Sequence, residues 1–239
     1  MLKSNQTTLP IDIHLEKIVK LTEQNENIIL TSPPGTGKTS RVPAALLQNL
    51  INLKSDKKII VLVPRRIAAI SSAARICEEN NWIMGREVGY TVRFDNKTSA
   101  TTQLIFMTEG VFIKKLADAE MWKSLELVIF DEFHERSSQI DLALGVCLEK
   151  QILEQNLKML VMSATLDVSQ LQTYLGKSEH IEVTTPVFEL EIVKAKKSQR
   201  LVCDFGFADL LVETLQQALG KSKKDILIFL PGLSEIRFI

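Results

Sequence analysis

The chain has 239 residues, of which 45% are hydrophobic and 24% are charged. This length suits one or two domains with a substantial buried core, and the composition is ordinary for a globular protein. The 29 basic and 29 acidic residues balance, which excludes a bulk basic field as the means of binding nucleic acid. Any such binding must come from local clusters of basic side chains.

The N-terminus and the cysteines indicate the compartment. The first residues lack the apolar core of a signal peptide, and no apolar run reaches the length that spans a membrane. Cys77, Cys147 and Cys203 are far apart and lack the spacing of metal ligands. We therefore expect buried thiols in a reducing compartment, a cytoplasmic location and no membrane partner.

Predicted strands and helices alternate along most of the chain. The helices follow the 3.6-residue spacing, and the strands are short apolar runs of the kind buried on both faces of a sheet. In chain order the elements are helix 13–21, strand 28–30, helix 42–47, strand 59–63, helix 67–79, strand 104–107, helix 111–116, strand 127–130, helix 140–153 and strand 159–162. This alternation predicts an α/β fold with a mostly parallel sheet and helices on both faces.

The C-terminal part of the chain has a different character. Residues 181–183 and 187–193 are predicted to close the first sheet. The polar and charged residues 194–200 are typical of a linker or an exposed loop. An amphipathic helix at 207–219 and a strand at 226–230 are predicted to follow.

Residues 32–39, Ser-Pro-Pro-Gly-Thr-Gly-Lys-Thr, lie between the first predicted strand and the next helix. A strand, a glycine-rich loop and a helix with Gly-Lys-Thr at the junction form a phosphate-binding loop, here with Ser32 at the first glycine position. Lys38 can reach the β- and γ-phosphates, and the Thr39 hydroxyl can bind Mg²⁺. The residues predicted to hold a magnesium nucleotide are Pro34, Gly35, Thr36, Gly37, Lys38, Thr39 and Ser40.

Two carboxylates follow the predicted strand 127–130. The carboxyl ends of parallel strands line the crevice in which open α/β sheets bind ligands. Asp131 is therefore placed to hold Mg²⁺ from the side opposite Thr39, and Glu132 to orient and deprotonate an attacking water. Alone, this pattern also fits a solvated, charged strand end. Together with the phosphate-binding loop it predicts hydrolysis of a phosphoanhydride.

A family resemblance emerges at Asp131-Glu132-Phe133-His134, which resembles motif II of the DEAH-box helicases with Phe in place of the usual Ala. The other motifs follow in the order of that family. Residues 64–69 resemble motif Ia, 108–110 motif Ib, 163–165 motif III and 229–232 the start of motif IV. Residues 88–94, 131–136 and 141–144 are similar to the bacterial HrpB-type subgroup.

The resemblance implies a RecA-like P-loop NTPase core and an ATP-dependent helicase with ATP and Mg²⁺ as cofactors. Single-stranded nucleic acid, RNA in preference to DNA, is the implied partner. The implied domains are an ATP-binding domain at 1–193 and, at 194–239, a linker with the start of a second RecA-like lobe. The family takes its arginine finger from a later motif of that second lobe, which this sequence lacks. We therefore expect the chain to turn over ATP weakly by itself.

The resemblance also assigns roles to residues on the nucleic-acid side. Arg65, Arg66 and Thr108 lie at strand-to-helix junctions and would bind the backbone of a single strand. For the two arginines alone, a solvated surface pair is the alternative. Arg93 is a weaker candidate, with a structural ion pair as its alternative.

On the nucleotide side, the implied catalytic residues are Lys38, Asp131, Glu132 and His134. His134 would act as a coupling residue and not as a metal ligand. Ser163 and Thr165 would relay the state of the nucleotide to the nucleic-acid side through hydrogen bonds to the motif II acids or to His134. Arg75 would stack on the adenine base, with a salt bridge on the helix surface as its alternative.

Two other functions fit parts of the sequence. A Pro-Pro-Gly-Thr-Gly-Lys-Thr loop also occurs in AAA+ chaperone-type ATPases, but those lack Pro-Arg-Arg at the second strand and Ser-Ala-Thr after the acidic motif. The more serious alternative is a non-catalytic module that binds nucleotide or nucleic acid, because the arginine-finger motif is missing from this sequence.

Overall fold

A computed structural model of the protein describes residues 8–154, 157–165, 167–184, 193, 205–221, 225–230 and 232–238. The chain divides into two compact units, Met1–Val187 and Phe188–Ile239. The predicted domain boundary between residues 193 and 194 falls where most residues lie outside the described ranges. It therefore stays a prediction.

The first unit alternates strands and helices in the predicted order. Two 3₁₀ turns lie at Pro10–His14 and Phe133–Glu135. The helices and strands are α1 (Leu15–Gln24), β1 (Asn27–Thr31), α2 (Lys38–Asn52), β2 (Lys58–Val63), α3 (Arg66–Asn80), β3 (Val88–Val92), β4 (Asp95–Lys97), β5 (Leu104–Thr108), α4 (Glu109–Lys115), α5 (Ala119–Ser124), β6 (Leu125–Phe130), α6 (Ser138–Glu154), β7 (Lys158–Ser163), α7 (Val168–Leu175) and β8 (Glu179–Glu182).

In the part of the chain that the structure describes, eight strands form one sheet in the order β4-β3-β5-β2-β6-β7-β1-β8. Neighbouring strands are parallel except for β3 and β4, which form an antiparallel hairpin at one edge. The mostly parallel α/β sheet is therefore confirmed. Because the carboxyl ends of the parallel strands meet at one edge, the segments after β1, β2, β5, β6 and β7 lie along the same crevice.

The sheet is buried on both faces. Leu30 packs in a core with apolar residues of α1, α2 and α3, whereas its neighbour Ile29 packs in a second core with residues of α4, α6 and α7. Successive side chains of a strand point to opposite faces, so a strand covered on both sides needs apolar residues at every position. Each buried Leu or Ile contributes roughly 1.5–3 kcal/mol, which explains the continuous apolar runs in the sequence.

The second unit contains α8 (Phe205–Lys221) and α9 (Leu233–Phe238). The helix predicted at 207–219 is confirmed. The strand predicted at 226–230 is wrong, because these residues have no regular structure and no described strand lies beside them to share backbone hydrogen bonds. The strand predicted at 187–193 lies outside the described residues, apart from Val193.

Two further expectations concern the cysteines and the membrane. Cys77 and Cys147 are buried free thiols, as predicted, whereas Cys203 lies outside the described residues. Burial raises the pKa of the Cys147 thiol far above its ordinary range, which makes it unreactive. Among the helices that the structure describes, none has the length and apolar character needed to cross a membrane.

Candidate active site

The glycine-rich loop, residues 32–39, joins β1 to α2 and is called the phosphate loop below. Gly35 and Gly37 have φ angles of 78° and 95°, in the left-handed region that favours glycine. The loop is also braced from within. The Thr36 hydroxyl donates to the carbonyl of Pro33 at 3.0 Å and lies 3.0 Å from the Ser32 hydroxyl. Ser32 therefore contributes a hydroxyl contact that glycine could not make.

A short N-terminal segment covers the outside of the phosphate loop. A Cβ atom on Gly37 would lie 2.6 Å from Cδ1 of Leu9, which is closer than such atoms can approach. The backbone N–H of Ile11 donates to the carbonyl of Thr36 at 3.2 Å. The segment is in turn held by Asp12, whose carboxylate accepts from the Leu9 N–H at 2.8 Å. Neither Leu9 nor Ile11 was among the predicted site residues.

The two predicted acids meet the phosphate loop directly. Asp131 ends β6 at the crevice, and its Oδ2 accepts a hydrogen bond of 2.7 Å from the Thr39 hydroxyl. The ammonium group of Lys38 lies 3.4 Å from Oε1 of Glu132. Lys38 is 4% exposed and Asp131 is 1% exposed. Residues that are distant in sequence thus form one cluster of opposite charges, buried at Lys38 and Asp131 and partly exposed at Glu132, with the residue types that the sequence predicts.

The electrostatic environment of Asp131 fits a divalent cation. Burial raises the pKa of Asp131 to about 6, and the nearby Glu132 carboxylate adds to this effect. The hydrogen bonds from Thr39 and from the Glu132 N–H, together with the Lys38 charge, oppose it. The neighbouring groups therefore compensate only part of the cost of burying the ionised carboxylate. Mg²⁺ bound between the Asp131 carboxylate and the Thr39 hydroxyl would supply further positive charge with the oxygen ligands it prefers.

An open cleft of about 380 Å³ lies between the phosphate loop and α3. Its volume falls in the range of small-molecule sites. Residues lining it are Leu9, Pro34, Gly35, Gly37, Lys38, Thr39, Ser40, Ser71, Ser72, Arg75 and Glu132. Arg75 lies on the wall of this cleft, and its Nε also donates to the Glu79 carboxylate at 2.8 Å. The predicted base contact and its salt-bridge alternative are therefore compatible, since the Arg75 side chain is 60% exposed in the presence of the salt bridge.

Arg41 of α2 is a buried charge that was not among the predicted site residues. Its Nε lies 3.6 Å from the Asp12 carboxylate, and its Nη1 lies 3.3 Å from that of Glu79. Because Glu79 also contacts Arg75, the cluster joins the N-terminal segment, the helix after the phosphate loop and the cleft wall. The sequence offered one signal for this cluster: Arg41 directly precedes the apolar residues of α2.

Motif III contacts motif II through His134. Nδ1 of His134 lies 3.4 Å from the Glu132 carboxylate and 3.4 Å from the Ser163 hydroxyl. Ser163 donates to the backbone carbonyl of Thr165 at 2.9 Å. Thr165 is exposed, and the contact described here is made by its backbone carbonyl. The predicted role of its hydroxyl stays a prediction. The chain of contacts thus runs from Glu132 through His134 to Ser163.

The predicted nucleic-acid contacts lie together at the same edge of the sheet. Thr108 pairs with Val63 in the register of β5 and β2, which places Thr108 next to Arg65 and Arg66 at the start of α3. Both arginines are exposed. Nη2 of Arg65 lies 3.2 Å and 3.4 Å from the two carboxylate oxygens of Glu135.

The β3–β4 hairpin adds a second group to this edge. Thr91 of β3 pairs with Met107 of β5, so the two-residue turn at Arg93 and Phe94 projects beyond the carboxyl ends of the strands near Thr108. Phe94 has a φ of 65° and is 88% exposed. The guanidinium of Arg93 lies 4.7 Å from the centre of the Phe94 ring, a cation–π contact. We call Arg65, Arg66, Thr108 and this turn the nucleic-acid edge, after the role that the sequence predicts for the first three.

A mostly parallel sheet with a phosphate-binding loop after its first strand and an acid pair at its crevice defines a RecA-like P-loop NTPase. The sequence matches the DEAD/DEAH box helicase family over residues 13–174. The chain therefore belongs to the DEAD/DEAH box helicases, a family whose members use ATP.

Solved structures of a bacterial relative have the same fold. The chain is 35% identical to the Escherichia coli DEAH/RHA helicase HrpB, with a TM-score of 0.80 over 96% of this chain and 29% of that chain. A second structure, the E. coli DExH-box NTPase HrpB, is 34% identical, with a TM-score of 0.77 over 98% of this chain and 28% of that chain.

Eukaryotic relatives are similar over nearly the whole chain. The probable ATP-dependent RNA helicase DHR2 of Saccharomyces cerevisiae is 32% identical over 96% of this chain and 31% of its own length. The ATP-dependent RNA helicase DHX33 of Drosophila melanogaster is 31% identical over 98% of this chain and 34% of its own length. The chain spans about a third of the length of these relatives.

Proposed function

We propose that this chain is the ATP-binding lobe of an ATP-dependent helicase that acts on single-stranded nucleic acid, RNA in preference to DNA. The observation that carries the proposal is the convergence of Lys38 and Thr39 on Glu132 and Asp131, at the sheet edge that also carries Arg65 and Thr108. The preference for RNA rests on the relatives from yeast and fly, which are named as RNA helicases.

In the proposed mechanism the nucleotide is held by the phosphate loop. The backbone N–H groups of residues 35–39 and the Lys38 ammonium would bind phosphate oxygens. Thr39 and Asp131 would hold Mg²⁺, which when bound neutralises charge on the β- and γ-phosphates. Leu9 and Arg75 would contact the rest of the nucleotide from the walls of the cleft.

Nucleotide binding would change the contacts of Glu132. In this structure its carboxylate contacts Lys38 at 3.4 Å and His134 at 3.4 Å. A phosphate group close to Lys38 would compete for the ammonium, and this would free Glu132 to orient a water and accept its proton. A change in the position of Glu132 would then be transmitted through His134 to Ser163 at the end of β7. Nucleotide binding would therefore itself prepare the base.

The nucleic-acid edge would bind the backbone of a single strand without reading its sequence. Arginines, a hydroxyl and a helix N-terminus are the groups that position phosphates. The exposed Phe94 ring, backed by Arg93, offers a flat apolar surface on which a base can stack. We further propose that residues 194–239 begin a second lobe, which in the family supplies the arginine finger and the other half of the strand-binding surface.

The test compares Lys38→Ala with the control Lys123→Ala, which removes an exposed lysine of α5. We expect Lys38→Ala to weaken Mg²⁺-ATP and Mg²⁺-ADP binding sharply in calorimetry, because it removes the buried ammonium that would contact the phosphates. The control should bind normally. Equal affinity in the two variants would contradict the assignment of the site.

Helicase action is tested by the stimulation of ATP turnover by single strands. ATP turnover is measured with and without single-stranded RNA or DNA, for residues 1–239 and for a form joined to the second lobe of a relative. We expect stimulation in the joined form, stronger with RNA, and little in residues 1–239 alone. Robust stimulated turnover by the single lobe would show that no second-lobe arginine is needed. Absence of stimulation in the joined form would count against helicase action.

A further inference from the structure

The turn after β6 contacts both the nucleotide site and the nucleic-acid edge. Glu132 at its start faces Lys38, whereas Glu135 at its end contacts Arg65. Immediately beyond, the Ser137 hydroxyl donates to the buried carboxylate of Glu109, the residue next to Thr108. One short segment therefore connects the acids of the nucleotide site with two of the predicted nucleic-acid contacts.

We propose that Glu135 is an internal competitor of nucleic-acid phosphate for the guanidinium of Arg65. This inference rests on the proposed function, because it takes Arg65 to be a backbone contact. When a strand binds, a phosphate replaces the Glu135 carboxylate, and the freed Glu135 lets the turn move. Glu135 is thus a positioning residue that links strand binding to the nucleotide site.

The geometry of the pair fits an exchange of anions. An arginine presents the same planar fork of donors to a carboxylate and to a phosphate. Nη2 of Arg65 lies 3.2 Å and 3.4 Å from the two oxygens of Glu135, so both are within reach of one donor group. The Arg65 side chain is 74% exposed and that of Glu135 is 39% exposed. A pair this exposed is weak, and an incoming phosphate can reach it from solvent.

The backbone of the turn connects Glu135 to Glu132. Two non-glycine residues, Glu132 with φ 53° and Arg136 with φ 40°, bound it in the left-handed region, where such residues store strain. The Glu135 N–H donates to the Glu132 carbonyl at 2.9 Å. Nη2 of Arg136 donates to the Asp141 carboxylate at 3.0 Å, and its guanidinium lies 5.3 Å from the centre of the Phe133 ring. A displacement of Glu135 therefore acts on the backbone of Glu132, the proposed base.

The test is a double-mutant cycle on residues 1–239, read by fluorescence anisotropy with a labelled oligouridylate strand at low salt. Glu135→Gln should tighten binding by about two- to fivefold, the range expected on removal of an exposed ionic competitor. Arg65→Gln should weaken binding. In the Arg65→Gln background, Glu135→Gln should have no further effect. In an Arg66→Gln background its tightening should persist, since Arg66 is the neighbouring arginine at the same helix start.

Other outcomes overturn the proposal in different ways. Equal tightening by Glu135→Gln with and without Arg65 would mean that Glu135 only repels nucleic acid through space. Unchanged or weaker binding by Glu135→Gln alone would exclude competition. Unchanged binding by Arg65→Gln would refute the Arg65 contact itself, and with it the inference, while leaving the nucleotide site intact. Thermal melting and Mg²⁺-ATP affinity of each variant show whether the fold and the nucleotide site are retained.

Discussion

The nucleotide site and the nucleic-acid edge lie along one crevice, yet their charged side chains differ in burial. At the nucleotide site Lys38 and Asp131 are buried, and each already has a partner within the chain. At the nucleic-acid edge Arg65 is exposed, and its pairing with Glu135 is open to solvent. A buried charge depends on partners within the fold, which compensate Asp131 only in part, whereas an exposed charge is solvated until a ligand arrives.

This difference has a consequence for affinity. A site whose groups are already ordered loses little conformational entropy when it binds, so it can be tight with few contacts. The exposed edge depends on screened phosphate contacts, so its affinity should be modest and should fall as salt rises. We therefore expect the chain to hold nucleotide firmly and single strands loosely.

The largest expected effect separates the two acids of the buried site. In the form joined to a second lobe, Glu132→Gln should retain Mg²⁺-ATP binding and lower turnover by roughly 10²–10⁴-fold, because a general base contributes about that factor. Asp131→Ala should instead weaken the Mg²⁺-dependent part of binding. Calorimetry with and without Mg²⁺, together with single-turnover hydrolysis, distinguishes the two. If both variants bind equally well, the roles assigned to the acids are incorrect.

The second largest expected effect comes from the buried ion pairs of Arg41. Arg41→Gln leaves the carboxylates of Asp12 and Glu79 without the guanidinium between them, and the loss of a buried ion-pair partner costs about 3–5 kcal/mol of unfolding free energy. Urea unfolding measures the change. Arg86→Gln is the matched control, since Arg86 forms an exposed pair with Glu87 and should cost less than about 1 kcal/mol. Similar losses in the two variants would argue against a buried cluster.

The smallest of these effects depends on pH. The pKa of Asp131 in the folded protein is about 6, above its ordinary value of 3.8, so ionisation of this carboxylate opposes folding. The penalty is absent below about pH 4, develops as the pH rises towards 6 and is complete above it.

Without Mg²⁺, Asp131→Asn should therefore raise the unfolding free energy at about pH 8 by up to roughly 3 kcal/mol, and the gain should disappear near pH 4. Denaturant unfolding in the presence of a chelator, repeated across this pH range, measures it. The control is Asp56→Asn at an exposed position, which should not show this gain. A gain that does not change with pH would show that ionisation of the buried carboxylate is not its cause.

Local patterns in the sequence predicted the parts of the molecule that are determined locally. The strands β1, β2, β5, β6 and β7 were predicted because burial on both faces of the sheet favours continuous apolar runs, which are visible in the sequence. The phosphate loop was predictable because Gly35 and Gly37 are required by the backbone itself. The rule that the carboxyl ends of parallel strands meet placed Asp131 at the same crevice as Thr39, although the direct hydrogen bond between them was not predicted.

Other features depend on partners that a local pattern does not reveal. The β3–β4 hairpin lies at an exposed edge with a mixed composition, and the short helices α5 and α7 depend on the caps provided by Asp118 and Asp167. The Arg41 cluster joins three separate segments of the chain. The error at 226–230 has the same origin, since an apolar run becomes a strand only beside another strand.

The covering of the phosphate loop by Leu9 and Ile11 bears on how the protein is dissected. The family match begins at residue 13, so a fragment cut to that match would discard both residues. Such a fragment would keep the phosphate loop and motifs Ia, Ib, II and III, but it would lose the apolar wall behind Gly37 and the hydrogen bond to Thr36. Minimal fragments and expression vectors therefore need to preserve the residues before the first recognisable helix.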